Sequence, residues 1–133
     1  MQILTLYLST AILFLGLDAV MLKLVMRPLF EARLGNQLLE DPRLGPAGIF
    51  YLFYVAGLLW FVSLPALAEG GMARAFWGGA LLGAMAYGTY EFTNFATLRA
   101  WDWRMVMVDL TWGTLLTGLS AALGVGLVGR LFP

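Results

Sequence analysis

Residues 104–128 of this chain, RMVMVDLTWGTLLTGLSAALGVGLV, contain a single acidic side chain, Asp109, in a run that is otherwise uncharged after Arg104. As a helix this stretch is about 37 Å long, enough to cross a hydrocarbon core of about 30 Å. The whole chain of 133 residues is 61% hydrophobic and only 12% charged, with a mean hydropathy of +0.83. Soluble domains are about half apolar and a quarter charged. Three other stretches have the same character, at residues 2–26, 46–67 and 73–97.

The spacing of these stretches predicts the fold. The linkers at residues 68–72 and 98–103 are too short to hold a domain, so consecutive spans must pack as antiparallel neighbours. We therefore predict an all-α membrane protein with one domain over residues 1–133. It is a four-transmembrane-helix antiparallel bundle with spans at about 2–26, 46–67, 73–97 and 104–128. The first span lacks the basic start and the cleavage site of a signal peptide, so we expect it to be retained.

The largest piece outside the spans is residues 27–45. We expect Arg27 and Pro28 to end or kink the first span. After them, apolar residues alternate with charged ones, a pattern that predicts a short amphipathic helix lying at the membrane interface between helices 1 and 2. An ordered polar loop explains the pattern equally well.

Basic residues set the predicted orientation. With four spans both termini face one side, which carries only Arg74 and Arg130. The opposite side carries six basic residues, Lys23, Arg27, Arg33, Arg43, Arg99 and Arg104. By the positive-inside rule the second side is cytoplasmic. We therefore expect a multi-pass protein of the cytoplasmic membrane with both termini outside the cytoplasm.

The composition excludes several kinds of chemistry. Cysteine and histidine are both absent, which removes disulfides, thiol catalysis, zinc and iron–sulfur sites and the usual haem ligands. Eight basic residues balance eight acidic ones without a basic cluster, so nothing suggests a nucleic-acid partner. We predict no cofactor, no metal site and no catalytic residues.

Three acidic residues lie inside the predicted spans: Asp18, Glu91 and Asp109. Counting from the span ends at about 1.5 Å per residue, all three fall about 7–12 Å from the cytoplasmic boundary. A carboxylate near the middle of a membrane helix costs about 2.5–3.5 kcal/mol on insertion scales. The acids therefore either satisfy one another and nearby donors, or line a site where something binds.

Other polar and aromatic side chains share this layer, including a stripe on the third span at spacings of three and four residues. The predicted ligand-binding residues are Asp18, Glu91, Asn94, Asp109, Tyr51, Tyr54, Tyr87, Tyr90 and Trp112. Candidates for interhelical ion pairs with the acids are Lys23, Arg99 and Arg104. The alternative for each acid alone is a hydrogen-bonded clamp between helices. We expect Trp77, Trp101 and Trp103 to lie in the aromatic belts at the membrane interfaces.

The many small residues have a packing role, since they allow helix backbones to approach closely in lipid. Gly79 and Gly83 form such a row on the third span, and Ala80, Ala84 and Gly88 continue it on a neighbouring row. The fourth span offers Thr114 with Gly118 and Thr117 with Ala121. We expect these rows to be contacts within the chain, although a homo-oligomer interface remains the alternative.

Four strings resemble a bacterial family of small membrane proteins, domain of unknown function family 2177: LDAVMLKLV from Leu17, FYLFYVAGLLWFVSLPALAEG from Phe50, AYGTYEFTNFATLRAW from Ala86 and VDLTWG from Val108. The resemblance covers nearly the whole chain and implies four helices in the bacterial cytoplasmic membrane, with no assigned activity. The family more often has Asp at the position of Glu91. Its members are often encoded near lipid-modifying enzymes, which is an association and not a mechanism.

These observations leave three hypotheses for the function. The first is a protein that binds or transports a lipid-like or amphipathic small molecule, with the carboxyl groups contacting a polar or cationic head group. The second is a scaffold or assembly partner of lipid-modifying or other membrane proteins. The third, which we favour least, is a membrane enzyme with two carboxyl groups in acid and base roles.

Overall fold

The computed structural model describes the whole chain, residues 1–133, and consists of four long helices without a strand. They are α1 (Gln2–Gln37), α2 (Leu44–Ala68), α3 (Gly71–Thr97) and α4 (Trp103–Leu131). The predicted all-α fold is confirmed. We call the end of the bundle with the α1–α2 and α3–α4 connections the connection end, and the end with both chain termini the terminal end.

Three of the helices, α1, α2 and α4, are long and apolar enough to cross a membrane. Helix α3 is of similar length, 27 residues, but is less apolar and lies outside that set. It packs antiparallel along α4, as contacts from Gly79–Gly118 to Gly88–Leu110 indicate. Helix α3 therefore extends along the bundle beside α4.

Both proline-containing helices widen just before the proline. The turns Leu22–Met26 of α1 and Leu59–Ser63 of α2 are π-helical, and Pro28 and Pro65 each follow two residues later. Proline has no N–H and its ring crowds the carbonyl group four residues earlier, so a wider turn accommodates it without a break. Of the two outcomes expected at Arg27 and Pro28, an end or a kink of the first span, the end does not occur, because the helix continues through Arg27–Leu34 and a 3₁₀ turn at Gly35–Gln37.

The expected interfacial helix is therefore not a separate element. Its first part is the end of α1, and only residues 38–43 connect α1 to α2. The apolar side of this extension packs on the α3–α4 connection, where Phe30 contacts Trp101 edge-on at 5.2 Å. Arg33 fixes the same contact, since its Nε donates to the carbonyl oxygen of Ala100 at 3.0 Å and lies 3.3 Å from a carboxylate oxygen of Asp102. The apolar residues of the amphipathic pattern thus pack in part on the protein itself.

Helix α4 is the central helix, because α1, α2 and α3 all pack against it. The contact with α3 is the closest: a Cβ on Gly79 would lie 2.8 Å from the carbonyl oxygen of Thr117 and 3.0 Å from the Cα of Gly118. Gly83 meets Gly113 and Thr117 in the same way. These small-residue rows are contacts within the chain, as expected.

The two halves of α2 pack differently. Its first half, Leu44–Leu58, contacts α1, whereas the π turn Leu59–Ser63 and the last turn Leu64–Ala68 contact α3 and α4. Helix α2 therefore diverges from α3 as it approaches the connection end. A cavity opens between the first half of α2, α1 and α3.

Candidate functional site

The cavity at the connection end has a volume of about 800 Å³, within the range of about 300–1,000 Å³ that is typical of small-molecule sites. Its walls come from the second half of α1, the start of α2 and the second half of α3. Most of the lining is apolar: Ala19, Leu22, Met26, Phe30, Leu38, Pro42, Phe50 and Ala86. Such walls suit a hydrocarbon chain.

Two carboxyl groups, Asp18 of α1 and Asp109 of α4, line the cavity on its inner side. Their residues are 4% and 9% exposed. The Nε1–H of Trp112 donates a hydrogen bond of 3.0 Å to Oδ1 of Asp18, and the Tyr51 hydroxyl lies near the same carboxyl group. Asp109 receives no hydrogen bond from an N–H group or a hydroxyl, so the two acids differ in how the protein supports them.

The third acid, Glu91, stands behind Asp109 and is completely buried. Its Oε1 accepts a hydrogen bond of 2.8 Å from Nε1–H of Trp101. Its Oε2 is buried and has no hydrogen-bond partner. The carboxyl group of Glu91 is therefore only half satisfied within the bundle.

Four tyrosines from α2 and α3 complete the cavity: Tyr51, Tyr54, Tyr87 and Tyr90. The hydroxyl of Tyr54 is 3.0 Å from Oγ1 of Thr117 on α4. The ring of Tyr87 rests on Gly113, where any side chain would occupy the position of the ring. The Tyr87 hydroxyl is buried and has no hydrogen-bond partner, so the protein leaves this polar group unsatisfied beside the cavity.

Two basic residues, Lys23 and Arg27, line the cavity nearer the connection end. The guanidinium group of Arg27 already has hydrogen-bond partners within the chain. Its Nε donates to Oε1 of Glu31 at 3.0 Å, and its Nη2 donates to the carbonyl oxygen of Leu39 at 2.6 Å. This contact holds residues 38–43 beside the cavity. Lys23 forms no ion pair.

The comparisons with known proteins give one match. A family model described as "Predicted membrane protein (DUF2177)" matches residues 3–126. The chain belongs to the DUF2177 family. No curated protein and no solved structure matches it. The range matched by DUF2177 contains every residue that lines the cavity, so the cavity lies wholly in the part shared with the family.

Six of the nine predicted ligand-binding residues of this DUF2177 chain line the cavity: Asp18, Tyr51, Tyr54, Tyr87, Tyr90 and Asp109. The other three stand behind them. Trp112 supports Asp18, Glu91 contacts Asp109, and Asn94 lies beside Tyr90. Any effect of these three on the cavity passes through the residues that line it.

The expected interhelical ion pairs are absent. Lys23, Arg99 and Arg104 pair with none of the acids, and the two ion pairs of the molecule are Arg27–Glu31 and Arg33–Asp102. Arg99 and Arg104 do not pair with the acids because of their position: both side chains are exposed, whereas the acids are buried within the bundle. Two of the DUF2177 acids instead accept indole N–H groups, Asp18 from Trp112 and Glu91 from Trp101.

The sequence did not reveal the role of Trp101, which was expected in an aromatic belt. Trp101 is only 6% exposed, whereas Trp103 and Trp77 are 58% and 72% exposed. The available signal was its place directly before Asp102, whose Oδ1 accepts the Met105 N–H at 3.0 Å and caps α4. A capped helix start turns the chain back towards α3, which brings Trp101 over Glu91.

Proposed function

We propose that this DUF2177 protein binds or carries an amphipathic, lipid-like small molecule in the cavity at the connection end. The hydrocarbon part of the molecule packs against the apolar walls, and its polar or cationic head group contacts Asp18 and Asp109. The bundle crosses the bacterial cytoplasmic membrane with all four helices, and the connection end faces the cytoplasm.

One observation carries this proposal: two buried carboxyl groups from different helices line a largely apolar cavity of about 800 Å³. A purely structural role explains Asp18 better than Asp109. Asp18 is supported by Trp112, whereas Asp109 receives no side-chain hydrogen bond and lies near another buried acid, Glu91. Burying a carboxyl group in a membrane costs several kcal/mol that such a contact does not return. A bound head group supplies the missing partner.

The scaffold hypothesis has less support. It relied on small-residue rows free to bind another membrane protein or a second copy of the chain. Gly79, Gly83 and Gly118 are occupied by the contact between α3 and α4, so a partner would have to displace that contact. An enzymatic role has no observation in its favour.

Titration calorimetry with the protein in lipid nanodiscs tests the proposal. The probes are octylamine, octanoate and octanol, which share a chain and differ in head group, and empty nanodiscs give the signal from partitioning into lipid. We expect saturable binding of at least one probe. Ala86→Phe, which fills the cavity, should abolish binding, whereas Ala96→Phe on the exposed side of the same helix should not.

Two results would refute the proposal. One is that none of the probes binds above the signal of empty nanodiscs. The other is that Ala86→Phe and Ala96→Phe bind the probes equally, because binding would then lie outside the cavity. Size-exclusion profiles of both variants establish that each is folded.

A further inference from the structure

Resting on the proposed function, we propose that the occupant of the cavity is a lipid with a phosphoethanolamine head group. Its primary ammonium group contacts Asp18 and Asp109 at the inner wall, and its phosphate contacts Lys23 and Arg27 nearer the connection end. The cavity thus recognises a zwitterion, with separate side chains for each of its two charges.

The charged side chains that line the cavity are sorted by depth. Two are acidic, Asp18 and Asp109, and two are basic, Lys23 and Arg27. Lys23 follows Asp18 by five residues in α1, which places it about 7.5 Å nearer the connection end. In phosphoethanolamine, two carbon atoms and one oxygen atom separate the nitrogen from the phosphorus. One head group can therefore contact Asp18 and Lys23 together.

The inner wall contains a carboxyl group that lacks a donor. Asp109 is 9% exposed and receives no side-chain hydrogen bond, and Oε2 of Glu91 behind it has no partner either. A primary ammonium group brings three N–H donors, and its hydrogen bonds to a carboxylate are among the strong ones. A quaternary ammonium group has no N–H to donate. Asp109 therefore favours ethanolamine over choline.

Aromatic rings surround the same space. The cavity is lined by Tyr51, Tyr54, Tyr87, Tyr90 and Phe50. Aromatic faces attract ammonium groups by cation–π interaction, most strongly where water is excluded. This attraction applies to every ammonium group, so the rings favour a cation at the inner wall and Asp109 distinguishes among cations.

The basic side chains indicate that the head group also carries a negative charge. Lys23 forms no ion pair, and Arg27 donates from Nε and Nη2 within the chain but not from Nη1. A ligand with only an ammonium group would meet both positive charges uncompensated. A phosphate at this level accepts hydrogen bonds from Lys23 and from Nη1 of Arg27. Each charge of the zwitterion then has a partner.

The test compares octyl compounds that differ only in head group. Titration calorimetry uses octylphosphoethanolamine, octylphosphocholine, octyl phosphate and octylamine, with the protein in phosphatidylglycerol nanodiscs, whose own lipid has no ammonium group. Empty nanodiscs give the signal from partitioning. Octylphosphoethanolamine should bind at least about tenfold more tightly than each of the other three. Phosphoethanolamine without the chain should bind more weakly by a similar factor, because the apolar walls then have no partner.

Two substitutions assign the two charges. Lys23→Gln should weaken octylphosphoethanolamine about fivefold but should not weaken octylamine, which has no phosphate. Asp109→Asn should weaken octylphosphoethanolamine about tenfold but should not weaken octyl phosphate. Arg104→Gln is the control, since Arg104 is exposed and outside the cavity, and it should change none of these affinities. Size-exclusion profiles establish that the variants are folded.

The ranking of the probes on the unsubstituted protein requires no variant to fold. Binding of octylphosphocholine, octyl phosphate or octylamine as tight as that of octylphosphoethanolamine would overturn the head-group assignment, and so would an equal effect of Lys23→Gln and Arg104→Gln. Equal binding of phosphoethanolamine with and without the chain would make the occupant a water-soluble compound. In the first two cases the proposed binding of an amphiphile still stands, whereas absence of binding by every octyl probe overturns both.

Discussion

The indole N–H of Trp112 in α4 donates a 3.0 Å hydrogen bond to Asp18 in α1, joining residues 94 positions apart in the sequence. This bond crosses between helices beside the cavity. It supplies a donor to a carboxyl group that the bilayer cannot hydrate. The side chain of Asp18 is thereby fixed at the inner wall, where an occupant of the cavity would meet it.

Replacement of Trp112 by Phe tests the importance of this bond for stability. The substitution removes the donor and leaves Asp18 buried without it, which should cost about 1–3 kcal/mol. Trp60→Phe is the control, since Trp60 is 72% exposed and its loss should change stability by no more than about 0.5 kcal/mol. Thermal unfolding in detergent measures both. Equal midpoints for the two variants would mean that the bond contributes nothing.

The tight seam between α3 and α4 predicts a sharp contrast between glycines. Gly79→Ala would place a methyl group 2.8 Å from the carbonyl oxygen of Thr117, which should destabilise the protein by about 1–3 kcal/mol. Gly16 in α1 has no atom within 4 Å of its would-be Cβ. Gly16→Ala should be neutral or stabilising by up to about 1 kcal/mol, because alanine favours helix. Reversible denaturation in detergent compares them, and a larger loss in Gly16→Ala would contradict the packing described here.

Asp102 makes two contacts, and two substitutions distinguish their contributions to stability. Asp102→Asn keeps the hydrogen bond that caps α4 but removes the charge that pairs with Arg33. Because this ion pair is partly exposed, its loss should cost less than about 1 kcal/mol. Asp102→Ala also removes the cap, which should cost about 1 kcal/mol more. Equal melting temperatures for the two variants would show that the cap adds no stability.

The absence of cysteine makes the topology directly measurable. Single cysteines replacing Asp41 and Arg99 at the connection end should react with a membrane-impermeant maleimide only after permeabilisation. Cysteines replacing Glu69 and Phe132 at the terminal end should react in intact cells. Equal labelling of positions 69 and 99 in intact cells would show that α3 does not cross the membrane, and the reverse pattern would invert the orientation.

The sequence predicted the helices and the acidic layer well, because both depend on spacing along a helix. Counting residues from the span ends placed Asp18, Glu91 and Asp109 at one depth, and the structure brings them together. Depth does not specify direction, however. Asp18 and Asp109 line the cavity, whereas Glu91 lies behind them. This difference depends on how each helix is rotated against its neighbours, and counting residues along one helix does not give that rotation.

The connections were harder to predict for a related physical reason. The alternation in residues 27–45 correctly indicates a helix with an apolar face. The surface against which this face packs is determined by the tertiary structure, which the alternation does not specify. Pro28 suggested an end to α1, yet the π turn before it accommodates the missing hydrogen bond. The buried position of Trp101 likewise depends on a turn that brings it back over α3.

The length of α1 has a consequence for how a molecule would reach the cavity. The helix has 36 residues and extends about 54 Å, nearly twice the hydrocarbon thickness of about 30 Å. With the protein placed in the membrane as proposed, its last turns and the part of the cavity beside Arg27 would lie among the phospholipid head groups. A molecule dissolved in the leaflet can slide in sideways with its tail in oil throughout. In the proposed function, occupancy of the cavity would then follow the amount of that molecule in the bilayer, rather than the much smaller amount free in water.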